Sequence, residues 1–382
     1  MPKSSNKKKN NIYKNILLLL ITIFVFLALF EISLRLFGIA HDYGPLKGLF
    51  QKDELLDYKM SPNYSGKFVR QEFEISIATN SKGLRDVEYS AKRHNDFRIL
   101  SLGDSFTWGA YGTELNQTFV KILEKKLNEN SNGLNYQVIN AGVPGYGTDQ
   151  ETAYLKNEGY KFKPDIVIIN FFVGNDFLDN SRRGELTVVD GILTDTGSRQ
   201  NIYEKIRIFL LDNFYSYGFI EKGIINIFNN LVQKYIKSRV QYDKYESQIF
   251  LKPATKGIND QFSKTKEILD DVNPYIKSKN IKLLILVIPL NYQVDDNLKE
   301  IFIKNNYAIN EKFDMEQPQK ILREWANQNN VELIDLLPEL SGLEDKDKLY
   351  WKLNGHFNAR GNQAAGEIIF NELTHRQDLI KI

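Results

Sequence analysis

The sequence predicts a five-stranded, doubly wound α/β sandwich, with helices covering both faces of a parallel sheet. Two observations carry this expectation. From Asp96 onward, short β-branched and aliphatic runs alternate with helical stretches, and the runs are continuously apolar, as strands buried on both faces require. The chain, 382 residues with 42 % apolar content, can also bury a core of ordinary density.

Taken in order, the predicted elements are the strand RILSLG (98–103), a helix over 117–128, the strand YQVINAG (136–142), a helix over 149–160 and the strand DIVIINFF (165–172). KLLILVIPL (282–290), a helix over 317–328, VELIDL (331–336) and a closing helix over 359–374 complete the pattern. Between the third and fourth strands lies an insertion of about a hundred residues, whose helical part is placed at about 200–250. Within it, Ile220, Ile224, Ile227, Phe228, Leu231 and Tyr235 fall on one broad apolar stripe. A helical pair packed on the sheet, a cap over the site, or a face resting on a membrane would each use such a stripe.

Ahead of this body, Lys3, Lys7, Lys8, Lys9 and Lys14 precede the uncharged run ILLLLITIFVFLALF (16–30). Flanking apolar residues lengthen the run toward the roughly 20 residues of a membrane span. Residues 1–11 therefore read as a basic cytoplasmic tail and 12–37 as a transmembrane signal-anchor helix. Glu31 and Arg35 sit at its outer interface with the i,i+4 spacing of a helical pair. The competing reading is a cleaved signal peptide, for which Gly38-Ile39-Ala40 offers a small-x-small site. In either case the body is exported. Residues 38–95 form a turn-rich lead-in packing on the main domain, with QEFEISIATNSKGLRD (71–86) alternating like a strand before a glycine turn. The main domain spans 96–382.

Composition excludes several function classes. The five lysines account for more than the formal net charge of +2, leaving the rest of the chain at −3, a poor electrostatic partner for nucleic acid. No G-x-G-x-x-G, Walker lysine or G-x-S-x-G elbow occurs, and the chain has no cysteine and no paired histidines to ligate a metal.

In an open parallel sheet, functional residues gather beyond the carboxyl ends of the strands. Here those ends carry Gly103-Asp104-Ser105, Gly142-Val143-Pro144-Gly145-Tyr146-Gly147 and Gly174-Asn175-Asp176, and the loop after the last strand carries His356. A serine activated by an imidazole, with backbone and amide donors for an oxyanion, is what acyl transfer needs. Ser105 is the candidate nucleophile and His356 the candidate base. Gly145 and Asn175, with the Ser105 N–H, are candidate oxyanion donors. Gly142 and Gly147 are expected to serve tight turns, and Asp104 and Asp176 to brace their loops through backbone N–H groups. Trp108, Tyr111, Tyr146 and Trp351 either line a pocket or pack.

The blocks GDSFTWG, INAGVPGYG, FVGND and NGHFNARG, in this order, resemble the SGNH (GDSL-type) hydrolases over about 97–373. That resemblance implies a flavodoxin-like sheet, the same four residues in the same roles, no cofactor, and activity on esters of lipids, glycans or small alcohols. Some relatives transfer acetyl groups to polysaccharides. The anchor and the TNSKGLRD lead-in resemble a membrane-anchored bacterial subgroup, which implies a single-pass inner-membrane protein with its hydrolase domain outside the cytoplasm, acting on acylated envelope glycan or lipid. One position departs from the family. An aspartate usually precedes the histidine by two or three residues, but Leu353 and Asn354 stand here. A backbone carbonyl can orient His356, an acid such as Asp347 or Glu344 can substitute, or the chain is a weakly catalytic or non-catalytic module that binds acylated glycan.

Overall fold

A computed structural model describes residues 4–37, 46–70, 72–109, 112–196, 202–221, 223–224, 248–306, 312–352, 354–376 and 379–380. Tyr111, Leu353, the Gly38-Ile39-Ala40 site and the stripe residues Ile227, Phe228, Leu231 and Tyr235 lie outside them. The chain divides into two compact units, one made of residues 1–45 and 199–235 and the other of 46–198 and 236–382.

The larger unit is built on a parallel sheet of β1 (Asp96–Gly103), β2 (Asn135–Gly142), β3 (Ile166–Phe172), β4 (Lys282–Ile288) and β5 (Glu332–Asp335). The strand order β5-β4-β3-β1-β2 is the flavodoxin-like arrangement, with its switch point beside β1. Adjacent residues of each strand enter opposite layers of core. Leu100, Val167, Ile169 and Val287 pack in one layer, and Ile99, Val138, Ile168 and Leu286 in the other. This two-sided burial is why the strands read as unbroken apolar runs. Helices Thr148–Asn157 and Gln317–Asn329 supply residues to the first layer, and Phe119–Glu129 and Ala359–Thr374 to the second.

Strand bounds agree with the sequence reading to within two residues. The second helix ends three residues early, because the chain tightens into a 3₁₀ turn at Gly159–Phe162 that Lys163 closes in a left-handed conformation, φ +54°. The largest element the sequence reading left unassigned is the helix Lys256–Ser278. Its Ile258, Phe262, Thr265, Leu269, Val272 and Ile276 are buried at helical spacing.

The lead-in forms two antiparallel hairpins, Phe50–Asp53 with Asp57–Met60 and Ser65–Arg70 with Phe73–Ala78. Their Tyr58, Met60, Phe68 and Ile75 share a third apolar cluster with Trp108, Val143 and Tyr146 from the sheet's loops.

The smaller unit contains the helix Ser4–Leu36, whose segment Tyr13–Leu36 has a mean hydropathy of 2.8 and no buried residues in its most apolar stretch. By length and composition it could cross a membrane or serve as a signal sequence. Helix Ile202–Asn213 and a second helical segment over 215–221 belong to the same unit.

Candidate active site

Register brings the strand ends level. Gly103 pairs with both Gly142 and Asn170, so the loops leaving β1, β2 and β3 emerge side by side. Directly after β1, Asp104 caps the four-residue helix Ser105–Trp108, its Oδ1 accepting the Phe106 N–H at 2.8 Å. This tight turn needs bare backbone alongside it. A Cβ on Gly142 would lie 2.2 Å from the Trp108 nitrogen, and one on Gly147 2.9 Å from the Asn180 nitrogen. Gly142 and Gly147 therefore supply close approach rather than the turn freedom expected of them, since neither carries a positive φ.

Ser105 Oγ and His356 Nε2, 251 residues apart in the chain, are 2.8 Å apart in space. Two contacts fix the imidazole and a third fixes the His356 backbone. The ring face stacks on Phe106 at 4.6 Å and 26°, its Nδ1 lies 3.2 Å from the Asn354 carbonyl oxygen, and the Asn354 side-chain oxygen accepts the His356 backbone N–H at 3.0 Å. A hydrogen on Nδ1 aimed at that carbonyl leaves Nε2 as acceptor for the serine hydroxyl. Asp347 and Glu344, the acids weighed as substitutes, are exposed on the segment preceding this loop. Although the rim of the ring is partly open, its enclosure disfavours the charged form and pushes the pKa down to about 4, while the Asn354 carbonyl opposes that shift.

Asn175 begins the short helix Asp176–Asp179 after β3. Its Nδ2 donates to Asp179 Oδ2 at 2.8 Å and to Asp104 Oδ2 at 3.3 Å. That same Asp104 oxygen lies 3.4 Å from Ser105 Oγ, whose single hydrogen is given to the nearer His356 Nε2. One carboxylate oxygen thus gathers the candidate nucleophile and the candidate oxyanion amide. Gly145 has φ +79°, and a Cβ there would meet the Tyr58 hydroxyl at 2.8 Å, so only glycine fits. Its N–H donates to nothing among the described residues.

Burial pushes the carboxyls beneath this turn upward. Asp104 rises to about 6 against hydrogen bonds from Phe106, Asn175 and Ser105, and Asp179 to about 7 with the nearby Asp104 charge adding to burial. Glu151 and Asp176 are driven well above the carboxylate range, by burial first and by the Asp104 charge second. Asp176 also braces its loop, accepting the Phe172 N–H at 2.8 Å. Among the described residues no group of three His, Cys, Asp or Glu side chains is arranged to hold a metal.

The aromatic residues divide. Trp108 and Tyr146 are buried in the lead-in cluster, and the Tyr146 hydroxyl donates to the Tyr58 carbonyl at 2.5 Å, so both pack. Trp351 tilts against Phe73 from the lead-in hairpin at 5.8 Å.

Arg85 escaped the sequence reading. Only 1 % exposed, it donates to the carbonyls of Trp108 at 2.9 Å, Gly109 at 2.8 Å and Thr113 at 2.6 Å. Thr113 in turn accepts from Asn362, which also donates to the Phe357 carbonyl beside the candidate base. The guanidinium thus ties the serine turn to the segment that reaches the histidine. An arginine inside the quoted TNSKGLRD motif was the available signal. Arg85→Leu keeps most of the buried stem but strips three carbonyls of their charged donor, so stability should fall by about 3 kcal/mol, read as a lower urea midpoint at unchanged slope.

The sequence of residues 101–364 matches the GDSL-like lipase/acylhydrolase family model. The chain belongs to the GDSL-like lipase/acylhydrolase family. Family membership places it among acyl-ester hydrolases. Solved structures similar to this GDSL-family chain include a two-domain esterase active on acetylated mannans, at 13 % identity and a TM-score of 0.40, covering 74 % of this chain and 50 % of that one. The chain thus spans half the length of that esterase. Others are TesA, at 16 % identity and 0.40 over 74 % and 99 %, and a lipase/acylhydrolase from Enterococcus faecalis, at 16 % identity and 0.38 over 73 % and 96 %. No curated protein sequence matches the chain.

Proposed function

We propose that the protein is a membrane-anchored, extracytoplasmic serine esterase that removes O-acyl groups from a cell-envelope glycan or lipid, or transfers them. The 2.8 Å contact between Ser105 Oγ and His356 Nε2 carries this reading. In the proposed reaction the Ser105 oxygen attacks the ester carbonyl carbon as His356 Nε2 takes the hydroxyl proton. The carbonyl oxygen becomes an oxyanion facing the N–H groups of Ser105 and Gly145, and the Asn175 amide joins them by releasing its longer, 3.3 Å bond to Asp104. Collapse expels the alcohol, which receives the proton from His356, and leaves an acyl group on Ser105. Water, or a sugar hydroxyl in the transfer case, then attacks that acyl carbon through the same base.

Beside Gly145 lies a cavity of about 80 Å³ lined by Asp57, Gln150, Asp179, Arg182 and Arg183 among others. Its charged walls suit a polar substrate group such as a sugar hydroxyl next to Gly145. The family and the N-terminal helix support hydrolysis at a membrane surface, and Asn354 in place of an aspartate is accommodated by the carbonyl at Nδ1.

The test is labelling by a fluorophosphonate probe, which needs an activated serine. Labelling of the full chain that disappears in Ser105→Ala supports the reading. Absence of labelling, or labelling that survives this substitution, overturns it in favour of a module that only binds acylated glycan. Product analysis with acetylated oligosaccharide, with and without a glycan acceptor, separates hydrolysis from transfer.

A further inference from the structure

The smaller unit carries an apolar surface for which the proposed reaction has no use. In the helix Ser4–Leu36, the uncharged stretch runs from Asn15 to Phe30, which spans about 24 Å at 1.5 Å per residue. Glu31 is the first charge beyond it. Its carboxylate accepts from Arg35 Nε at 2.7 Å and from the backbone N–H groups of Tyr215 at 3.1 Å and Ser216 at 2.7 Å. Arg35 also donates to the Asn213 carbonyl at 2.7 Å and lies 4.5 Å above the Tyr215 ring. The turn joining helix Ile202–Asn213 to the segment 215–221 is thereby pinned where the apolar stretch ends.

Two further contacts set the orientation of this hairpin. Arg207 pairs with Glu221 at 2.7 Å, tying its two arms together. Phe219 meets Phe30 edge to face at 5.5 Å, one position inside the uncharged stretch. Around these contacts Ile206, Phe209, Phe214, Ile220 and Ile224 stay exposed, Phe209 at 58 % and Ile224 at 62 %. A soluble surface rarely gathers so many large apolar side chains. Here they continue the exposed apolar wall of the first helix.

We propose that the hairpin 202–224 lies in the interfacial layer of the bilayer that the first helix crosses, with Phe209, Phe214 and Ile224 among the lipid headgroups and upper acyl carbons. The lipid surface is favoured over a second copy of the chain because the patch begins at the level where the uncharged stretch ends and is continuous with it. Aromatic side chains partition to that layer, and an amphipathic element held there by a spanning helix need not supply its own membrane affinity. The proposal rests on the reading of Ser4–Leu36 as a membrane anchor.

The chain has no cysteine, so single variants can be labelled cleanly. Full-length Phe209→Cys, Ile224→Cys and, within the span, Phe24→Cys are labelled with an environment-sensitive nitrobenzoxadiazole dye and reconstituted into phosphatidylcholine–phosphatidylglycerol vesicles. Labels at 209 and 224 should emit to the blue and lose about half or more of their intensity to nitroxide lipids carrying the spin label near the headgroup, as interfacial side chains do. The label at 24 should respond most to nitroxide deep in the acyl chain. Water-like emission and iodide quenching at 209 and 224, with lipid quenching intact at 24, overturn the proposal and leave the anchor standing. Blue emission at 209 without lipid quenching means a protein partner covers the patch and also overturns it. Loss of lipid quenching at 24 overturns the anchor and the proposal together.

Discussion

Ser105→Ala, His356→Ala and the double variant should each lower turnover of a short-chain aryl ester by about 10⁴- to 10⁶-fold, and by nearly the same factor. A hydroxyl and an imidazole that exchange one proton act as a unit, so removing the second after the first costs little more. The 2.8 Å separation of Ser105 Oγ and Nε2 is the observation that demands this non-additivity. What survives in all three variants should be the contribution of substrate binding and the oxyanion donors. Steady-state kinetics with a stability control on each variant provides the check. Losses that multiply would mean that the two side chains act independently and that their contact is incidental.

The second large effect is in the pH profile. A general base works only when unprotonated, and His356 is pushed down to about 4 from an ordinary 6.5 by its enclosure. The acid limb of kcat/KM should therefore fall near pH 4, with activity sustained at pH 5, where an ordinary histidine would be almost wholly charged. Asn354→Asp puts a carboxylate two residues before the histidine, where one of its oxygens can still accept the His356 backbone N–H. A negative charge near the ring favours the imidazolium, so the limb should move upward. Turnover at neutral pH should change by less than about tenfold, because the Asn354 carbonyl already holds Nδ1. A wild-type limb near 6.5 would contradict the enclosure argument. A limb near 6 or 7 that Asn354→Asp leaves in place would belong instead to Asp104 or Asp179, whose carboxyls are raised to about 6 and 7.

Ser105, Gly145 and Asn175 are legible because each stands within three residues of a strand end, whereas His356 lies 21 residues past β5, beyond the helix Leu336–Gly342, and its place comes from the NGHFNARG block. Continuous apolar runs mark β1, β2 and β3, and a parallel sheet puts the residues after them on one edge. Lys256–Ser278 reads weakly in the sequence because Pro274 stands inside it and Lys, Asp and Asn crowd its apolar positions, and packing in the fold is what keeps its helical spacing buried. Arg85 and Asp179 were illegible for a different reason. A charged residue in a loop reads as solvated, and only the folded chain brings three carbonyls around the Arg85 guanidinium or places Asp179 on the Asn175 amide.

The sequence alone determined the sheet, the family's ordered blocks, the apolar N-terminal helix and the residue types available for acyl chemistry, since periodicity and local motif are properties of neighbours along the chain. Tertiary structure alone decided which atom orients the imidazole, how the amide of Asn175 is held, and where the hairpin 202–224 meets Glu31 and Phe30. Those are contacts between segments far apart in the chain, and their geometry is set by packing and hydrogen bonding in three dimensions, on which spacing along the chain is silent.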